Sequence, residues 1–312
     1  MRLQTAIDEF IAAKRMLGAR PGTLRAYGKD LALFQAYVLT MCGHDRLNDV
    51  AGRKNGWTPA VVEGWLVAQD ARGLAHATVS RRQTAIREFA KWALRKRYIA
   101  QDATRDMPSI RVPKRQPRPF LPQERDALMA LPLKGTERVL RSLLYYTGLR
   151  EGELVKLRLM HIGRPSELAD GTKKCATVTV EDGKGGRSRT VALAPSCWTV
   201  VEDHALRHTN LRPTAFLLTK LDGMSPWSTY MVRWYVRRWG RAANVPACTP
   251  HRWRHTFATD ALDATDDLLA VKEAMGHASV KTTEVYVKLV DRKRDRLANA
   301  MLAYPAEVPS DG

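Results

Sequence analysis

A proline-rich segment constrains the fold of this chain more than any other feature. Five prolines fall in the sixteen residues MPSIRVPKRQPRPFLP, at positions 107–122. Because each proline lacks a backbone N–H and has a fixed φ, the segment predicts an extended connection and excludes a helix. We therefore expect two domains joined by a linker, in a chain of 312 residues that is long enough for two hydrophobic cores. The predicted boundaries are 1–106 for the first domain, 107–121 for the linker and 122–312 for the second domain.

The charge of the chain indicates a polyanionic partner. Lys and Arg total 51 against 32 Asp and Glu, which gives a formal net charge of +19. Residues 1–106 carry 18 basic and 10 acidic side chains, and residues 119–312 carry 29 and 22. Positive charge on both domains and on their connection favours duplex DNA gripped from both sides, although a ribosome-associated protein is also basic. The segment between the domains is either a plain linker or a basic segment that lies along the phosphate backbone of DNA. Its four cations are called the basic linker residues: Arg111, Lys114, Arg115 and Arg118.

Cysteine usage and the N-terminus bear on location. The four cysteines lie far apart with no C-x-x-C pair, which argues against a disulfide framework or a zinc ribbon. The N-terminal residues MRLQTAIDEFIAAKRML carry charges every few positions, unlike a signal peptide or a membrane anchor. No run approaches the ~18 apolar residues that a membrane-spanning helix needs. The sequence predicts a soluble cytoplasmic protein with no membrane partner.

Helical periodicity dominates the first domain. Thr23 and Thr78 are predicted as N-caps, and each is followed by apolar residues at helical spacing. The helix after Thr78 also carries Arg81 and Arg82, which are expected to point largely outward. On that face they are either solvated or in contact with DNA.

The second domain is predicted to combine helices with one hairpin. Helices are expected near 122–131 and 137–146, and again from Ser225 onward. Residues 175–193 alternate apolar and polar side chains around a glycine-rich turn, which is typical of an antiparallel hairpin. The predicted fold class is therefore mainly α with a small antiparallel β-sheet.

Two short segments of the second domain carry cationic groups that can contact a partner. In TGLREGEL, a helix is expected to end near Gly148, and Arg150 lies three residues before Glu153. At that spacing the carboxylate can orient the guanidinium. In GKGG, Lys184 lies at the predicted hairpin tip and can reach into a partner. Taken singly, each pattern is also what an ordinary solvated surface shows.

Two further segments add histidines, an arginine and a tyrosine. In HRWRH, His251 and Arg254 are three residues apart at the start of a helix and are predicted to share one face. A basic pair near the positive end of a helix dipole predicts an anion site. In GHASVKTTEVY, His277 is followed nine residues later by Tyr286.

These four segments, in this order, resemble the tyrosine recombinase (phage integrase) family. The resemblance lies in TGLRxxEL, the GKG hairpin, HxxRH and GHxxxxTTxxY, with 23 residues from Arg254 to His277 and 9 from His277 to Tyr286. In the first domain, TLRAYGKDLALF and TVSRRQTAIREFAKW are similar to the family's helical core-binding domain. The resemblance covers nearly the whole chain and is to the compact Xer-like or transposon-encoded type.

The departures from the family pattern are few. Trp253 stands where the family usually has Leu, and Lys288 stands where it often has His. The loop before the hairpin is longer than usual. It leaves Lys173 and Lys174 as alternatives to Lys184 for the catalytic lysine.

The resemblance implies a reaction in which a tyrosine oxygen attacks a DNA phosphodiester, forming a 3′-phosphotyrosyl bond and releasing a 5′-hydroxyl. Two arginines would hold the non-bridging oxygens bidentately, and a lysine would protonate the leaving oxygen. This chemistry needs neither a metal ion nor another cofactor. The implied residues are Tyr286 as nucleophile, Arg150 and Arg254 as the phosphate clamp, Lys184 as general acid, His251 for proton transfer or phosphate binding, His277 as hydrogen-bond donor to phosphate, and Glu153 as an orienting group.

The implied function is site-specific recombination, used to integrate, excise, transpose or resolve DNA elements, by a homotetramer or heterotetramer on paired sites. The two domains are expected to close around duplex DNA as a clamp. The basic linker residues are predicted to lie on phosphates, and Arg81, Arg82 and Arg238 to read bases. One alternative is a type IB topoisomerase-like nicking and closing enzyme, which needs no paired sites. Another is a DNA-binding protein that has lost catalysis, against which the complete Arg, Lys, His and Tyr set argues.

Overall fold

The computed structural model describes residues 1–47, 57–113, 118–167, 169–181, 188–208, 212–220 and 224–276. The chain divides into two units, residues 1–115 and 116–312, and the division falls inside the predicted linker. Each unit has its own large cluster of buried apolar side chains. Throughout the described residues, no helix is both long enough and apolar enough to cross a membrane.

The described part of the first unit is helical and closes over an aromatic core. The ring of Phe10 meets that of Phe89 edge-on, with centroids 5.6 Å apart, and Phe34 meets Trp65 at 5.3 Å. These side chains come from different helices, so each helix buries one apolar stripe against the others. The helices are α1 (Leu3–Met16), α2 (Pro21–Cys42), α3 (Pro59–Ala71) and α4 (His76–Arg95).

Helices α2 and α4 begin earlier than expected, so the N-cap predictions at Thr23 and Thr78 are wrong. Helix α2 starts at Pro21, whose fixed φ suits the first position of a helix. Helix α4 starts at His76 without a side-chain cap. Both threonines therefore lie within the first turn, where the backbone is already helical.

A buried carboxylate on α2 draws two arginines of α4 toward it. Asp30 is fully buried, and Arg81 Nη1 donates a hydrogen bond to its Oδ2. Arg82 Nε lies 3.7 Å from Asp30 Oδ1, and Arg82 Nη1 donates to Gln69 Oε1 on α3. The side chain of Arg82 is 11% exposed, against 44% for Arg81. The prediction that Arg82 points outward is therefore wrong, because a buried negative charge needs a cation beside it.

The first residues of the predicted linker pack on α4. Gln83 Nε2 donates to Pro108 O at 2.8 Å, and Gln83 Oε1 accepts from Ile110 N at 3.1 Å. Arg87 Nη2 donates to Met107 O. An extended proline-rich segment cannot satisfy its own polar backbone groups, so side chains of α4 do so. The start of the predicted linker is thus part of the first unit.

The described part of the second unit combines helices with two small antiparallel sheets, which confirms the predicted fold class. In chain order its strands are β1 (Ile162–Gly163), β2 (Ser166–Glu167), β3 (Lys173–Lys174), β4 (Thr177–Val180) and β5 (Arg189–Ala192). A 3₁₀ helix, Leu159–His161, precedes β1. The α-helices are α5 (Pro122–Ala130), α6 (Gly135–Thr147), α7 (Glu151–Leu154), α8 (Pro195–His208), α9 (Thr229–Ala242), α10 (Pro250–Thr265) and α11 (Leu268–Met275).

The predicted hairpin is confirmed as β4 paired with β5, in a sheet of order β1–β4–β5. Val178 pairs with Val191, and Val180 pairs with Arg189. The valines are buried in the core of the unit. The second sheet, β2 with β3, was not predicted, because two-residue strands are too short to show an alternation of apolar and polar side chains.

Candidate active site and nucleic-acid contacts

The site is built around the sharp turn between α6 and α7. Helix α6 ends at Thr147, and Gly148 follows in the left-handed conformation with φ of +59°. A Cβ at Gly148 would lie 2.2 Å from Cδ1 of Phe257, so both the backbone angle and the packing require glycine. The turn places Arg150 at the N-cap position of α7.

Glu153 holds Arg150 in place, and the predicted pair is confirmed. Its carboxylate accepts from Arg150 N at 2.8 Å and from Arg150 Nη1 at 2.9 Å. Arg189 donates to the same carboxylate, from Nη1 at 3.1 Å and from Nη2 at 2.8 Å. Burial by itself would raise the pKa of Glu153, but hydrogen bonds from Arg189 and Arg150 overcome it and lower the pKa to about 2. Glu153 is therefore ionised and fixes two guanidinium groups.

Arg189 is a site residue that the sequence reasoning missed. It is the first residue of β5, and its Nε also donates to Ala274 O at 2.8 Å. A signal was present in the strand pattern. Arg189 shares its strand face with Val191 and Leu193, both buried, and a charged residue on the inward face of a strand calls for a buried partner.

Arg254 joins the ends of two helices to α10. Thr249 caps α10 by accepting from Arg252 N, and Arg254 lies one turn further on, 4% exposed. Its Nη1 donates to Gly148 O at 2.5 Å and its Nη2 to Met275 O at 2.6 Å. The structure thus places Arg254 beside the turn that leads to Arg150.

The two flanking histidines differ in their surroundings. His251, in the first turn of α10, is exposed. Burial, together with the nearby His251 and Arg254, lowers the pKa of His255 to about 4. His255 is therefore neutral near pH 7. The predicted anion site thus consists of an exposed imidazole and a buried guanidinium, with a neutral imidazole beside them.

Three predicted catalytic residues, Lys184, His277 and Tyr286, lie outside the described residues. The alternative lysines Lys173 and Lys174 lie on β3 and are exposed.

His, Cys, Asp and Glu side chains, the usual protein ligands of metal ions, occur throughout the described ranges. Within them, no group of three or more His, Cys, Asp or Glu side chains is arranged to bind one.

Arg238, a predicted base reader, lies on α9 with partners of its own. Its Nη2 donates to Glu137 Oε1 and Oε2, at 2.7 and 2.6 Å. Its guanidinium carbon lies 5.2 Å from the ring centroid of Trp234 and 5.0 Å from that of Tyr235. The side chain is nonetheless 44% exposed.

The basic linker residues are only partly described. Arg111 and Arg118 are exposed, each on its own unit. Lys114 and Arg115 lie outside the described residues.

Comparison with known proteins identifies the class. The model of the phage integrase family matches residues 122–293, and that of the phage integrase N-terminal SAM-like domain matches residues 8–97. The chain therefore belongs to the phage integrase family. More narrowly, it is a tyrosine recombinase related to the Xer enzymes. It is 30% identical to the tyrosine recombinase XerD of Ralstonia nicotianae, over 91% of this chain and 88% of that protein.

Solved structures show the same fold at lower identity. The XerH site-specific recombinase bound to its palindromic difH substrate, a post-cleavage complex, aligns with a TM-score of 0.64 at 18% identity, covering 88% of this chain and 78% of that one. A lambda integrase dimer bound to a COC′ core site aligns with a TM-score of 0.68 at 16% identity, covering 100% of this chain and 81% of that one.

Proposed function

We propose that this recombinase cuts and rejoins specific DNA sites in pairs, through a 3′-phosphotyrosyl intermediate on Tyr286. The observation that carries the proposal is the shared carboxylate of Glu153, which holds Arg150 at the α6–α7 turn while Arg254 is fixed to Gly148 of the same turn. Side chains held in this way do not reorganise when charge develops on a reacting phosphate.

The residues divide the chemistry as follows. Tyr286 Oη attacks the phosphorus, the bond from phosphorus to the 5′-oxygen breaks, and Lys184 protonates that oxygen. His251 assists transfer of the phenolic proton. Arg150 and Arg254 stabilise the non-bridging oxygens, which a forked guanidinium can contact in pairs.

The grip on DNA is proposed to come from charge on both units. Arg111 and Arg118 are exposed, so with Lys114 and Arg115 they would contact phosphates and release counterions. Base reading would fall to Arg81 and Arg238, whose side chains are each 44% exposed. Arg82 would act through Asp30 instead.

The assembly and location follow from the substrate. The relatives include recombinases bound to DNA sites, and we propose that four copies of this chain, or of this chain and a related one, close around two such sites.

Because chromosomal or mobile DNA is the proposed substrate, we also propose that the protein works in the cytoplasm.

A nicked suicide substrate, from which the cut strand cannot be rejoined, tests the nucleophile. Wild-type protein should accumulate a covalent protein–DNA adduct, and Tyr286→Phe should bind the DNA equally well and form none. An adduct that persists in this variant would refute the assignment. A plasmid with two target sites in direct repeat separates the alternatives, since a recombinase yields two circles and a nicking–closing enzyme only relaxed plasmid.

A further inference from the structure

Arg189 uses every nitrogen of its guanidinium group in the described site. Its Nη1 and Nη2 lie on the two carboxylate oxygens of Glu153, at 3.1 and 2.8 Å. Its Nε lies 2.8 Å from Ala274 O, near the C-terminal end of α11. All three nitrogens of one planar group are thus used on two elements that are far apart in sequence.

The end of α11 is held by two arginines at adjacent carbonyls. Arg189 Nε donates a hydrogen bond to Ala274 O, and Arg254 Nη2 donates one to Met275 O. The next residue, Gly276, has φ of +62°, and a Cβ there would lie 2.8 Å from Arg189 Nη1. The backbone therefore passes against the guanidinium immediately before His277.

Because the side chains are largely buried, the contacts between Arg189 and Glu153 are costly to break. The side chains of Arg189 and Glu153 are 11% and 9% exposed, so neither can exchange its partner for bulk water without cost. Lysine carries the same charge, but as a single ammonium it cannot span both carboxylate oxygens and a carbonyl in fixed geometry.

We propose that Arg189 is a positioning residue for catalysis, an inference that rests on the proposed function. Through Glu153 it sets the guanidinium of Arg150. Through the end of α11 it sets the backbone that leads to His277. As the first residue of β5 it also anchors the strand that follows the Lys184 segment. One side chain thereby links the turn that carries Arg150, the C-terminal end of α11 and the start of β5.

Arg189→Lys measures this role in the full-length protein. Single-turnover formation of the covalent adduct should slow by about 100-fold, because small displacements of reacting groups cost rates of that order. Affinity for the same DNA should stay within about threefold, since only 11% of the Arg189 side chain is exposed. Adduct formation within threefold of wild type would overturn the proposal.

Arg141→Lys is the matched control for lost stability. Arg141, on α6, donates to Leu128 O at 3.1 Å and to Leu131 O at 2.7 Å. It is a partly buried arginine of the same unit that contacts no predicted catalytic residue through these bonds. Its variant should unfold at lower urea concentration yet form adduct within about threefold of wild type. If it slows adduct formation as much as Arg189→Lys does, the Arg189 effect is one of stability and the proposal fails.

A double variant tests whether Arg189 acts through Glu153. If it does, Arg189→Lys combined with Glu153→Gln should be no more than about threefold slower than the slower single variant, because both changes break one unit. Rates that fall by the product of the two single effects would overturn this route.

Hydrogen exchange separates failure of this inference from failure of the proposed function. In the protein without DNA, Arg189→Lys should raise deuterium uptake in peptides covering 150–154 and 271–276, which are joined through this side chain. Unchanged uptake in both peptides would overturn the positioning role whatever the DNA assay shows. Absence of an adduct with wild-type protein would instead refute the proposed function.

Discussion

Replacing Glu153 by Gln tests the electrostatics of the site. The carboxylate is 9% exposed, and its pKa is lowered from 4.5 to about 2. At about 1.4 kcal/mol per pH unit, this difference stabilises the folded second unit by about 3 kcal/mol at pH 7. Glutamine keeps the size and one acceptor oxygen but carries no charge. Glu153→Gln should therefore lower the free energy of unfolding by about 3 kcal/mol at pH 7.

The pH dependence has a definite sign. Because the folded-state pKa lies below the unfolded one, the stabilisation is complete above pH 4.5 and is lost as the pH falls toward 2. The difference between wild type and Glu153→Gln should thus narrow at pH 3 to about half of its value at pH 7.

Urea titration of the full chain measures both values. A short pulse of deuterium labelling with mass spectrometry lets peptides of each unit report separately, and peptides of α4 should be unaffected. Glu151→Gln is the matched control on the same short helix. Glu151 pairs with Arg233, whose side chain is 50% exposed, so this variant should cost less than about 1 kcal/mol. A loss for Glu153→Gln that is equal at pH 7 and pH 3, or no larger than that of Glu151→Gln, would refute the reasoning.

Four further outcomes are expected. Arg150→Lys should keep DNA affinity but slow single-turnover cleavage by about 10²–10³-fold, and near wild-type cleavage would contradict the clamp. Lys184→Ala should be rescued by a 5′-bridging phosphorothiolate, whose leaving group needs no proton. Rescue of Lys173→Ala or Lys174→Ala instead would assign the role of general acid to that lysine. Alanine at all four basic linker residues should flatten the slope of the logarithm of the DNA-binding constant against the logarithm of salt concentration by about 0.9 per lost phosphate contact. An unchanged slope would show that the segment is only a linker between the domains. The folded-state pKa of His255 is about 4, against an ordinary value of 6.5, so the stability of the wild-type protein should fall as the pH drops from 6.5 to 4. Over the same pH range, the urea midpoint of His255→Gln should fall less than that of wild type. An equal fall would contradict the lowered pKa.

Local patterns in the sequence were sufficient for much of the architecture and for part of the site. The prolines of the linker exclude a helix wherever they lie, and the alternation around Val178 is visible without any partner. The pair of Arg150 and Glu153 is three residues apart, so the turn of a helix brings the two together. Each of these features depends on neighbours within a few residues, which is why a sequence alone can predict it.

Tertiary structure decided which charges are buried and what they hold. Arg82 looked like a surface residue because its partner, Asp30, lies on another helix. Arg189 was missed because Glu153 is 36 residues away. The carbonyls bound by Arg254 become available only where α6 and α11 end beside α10. A buried charge is stable only beside a partner of opposite charge, and the tertiary fold brings that partner close. The periodicity and composition of the sequence do not show where the partner lies.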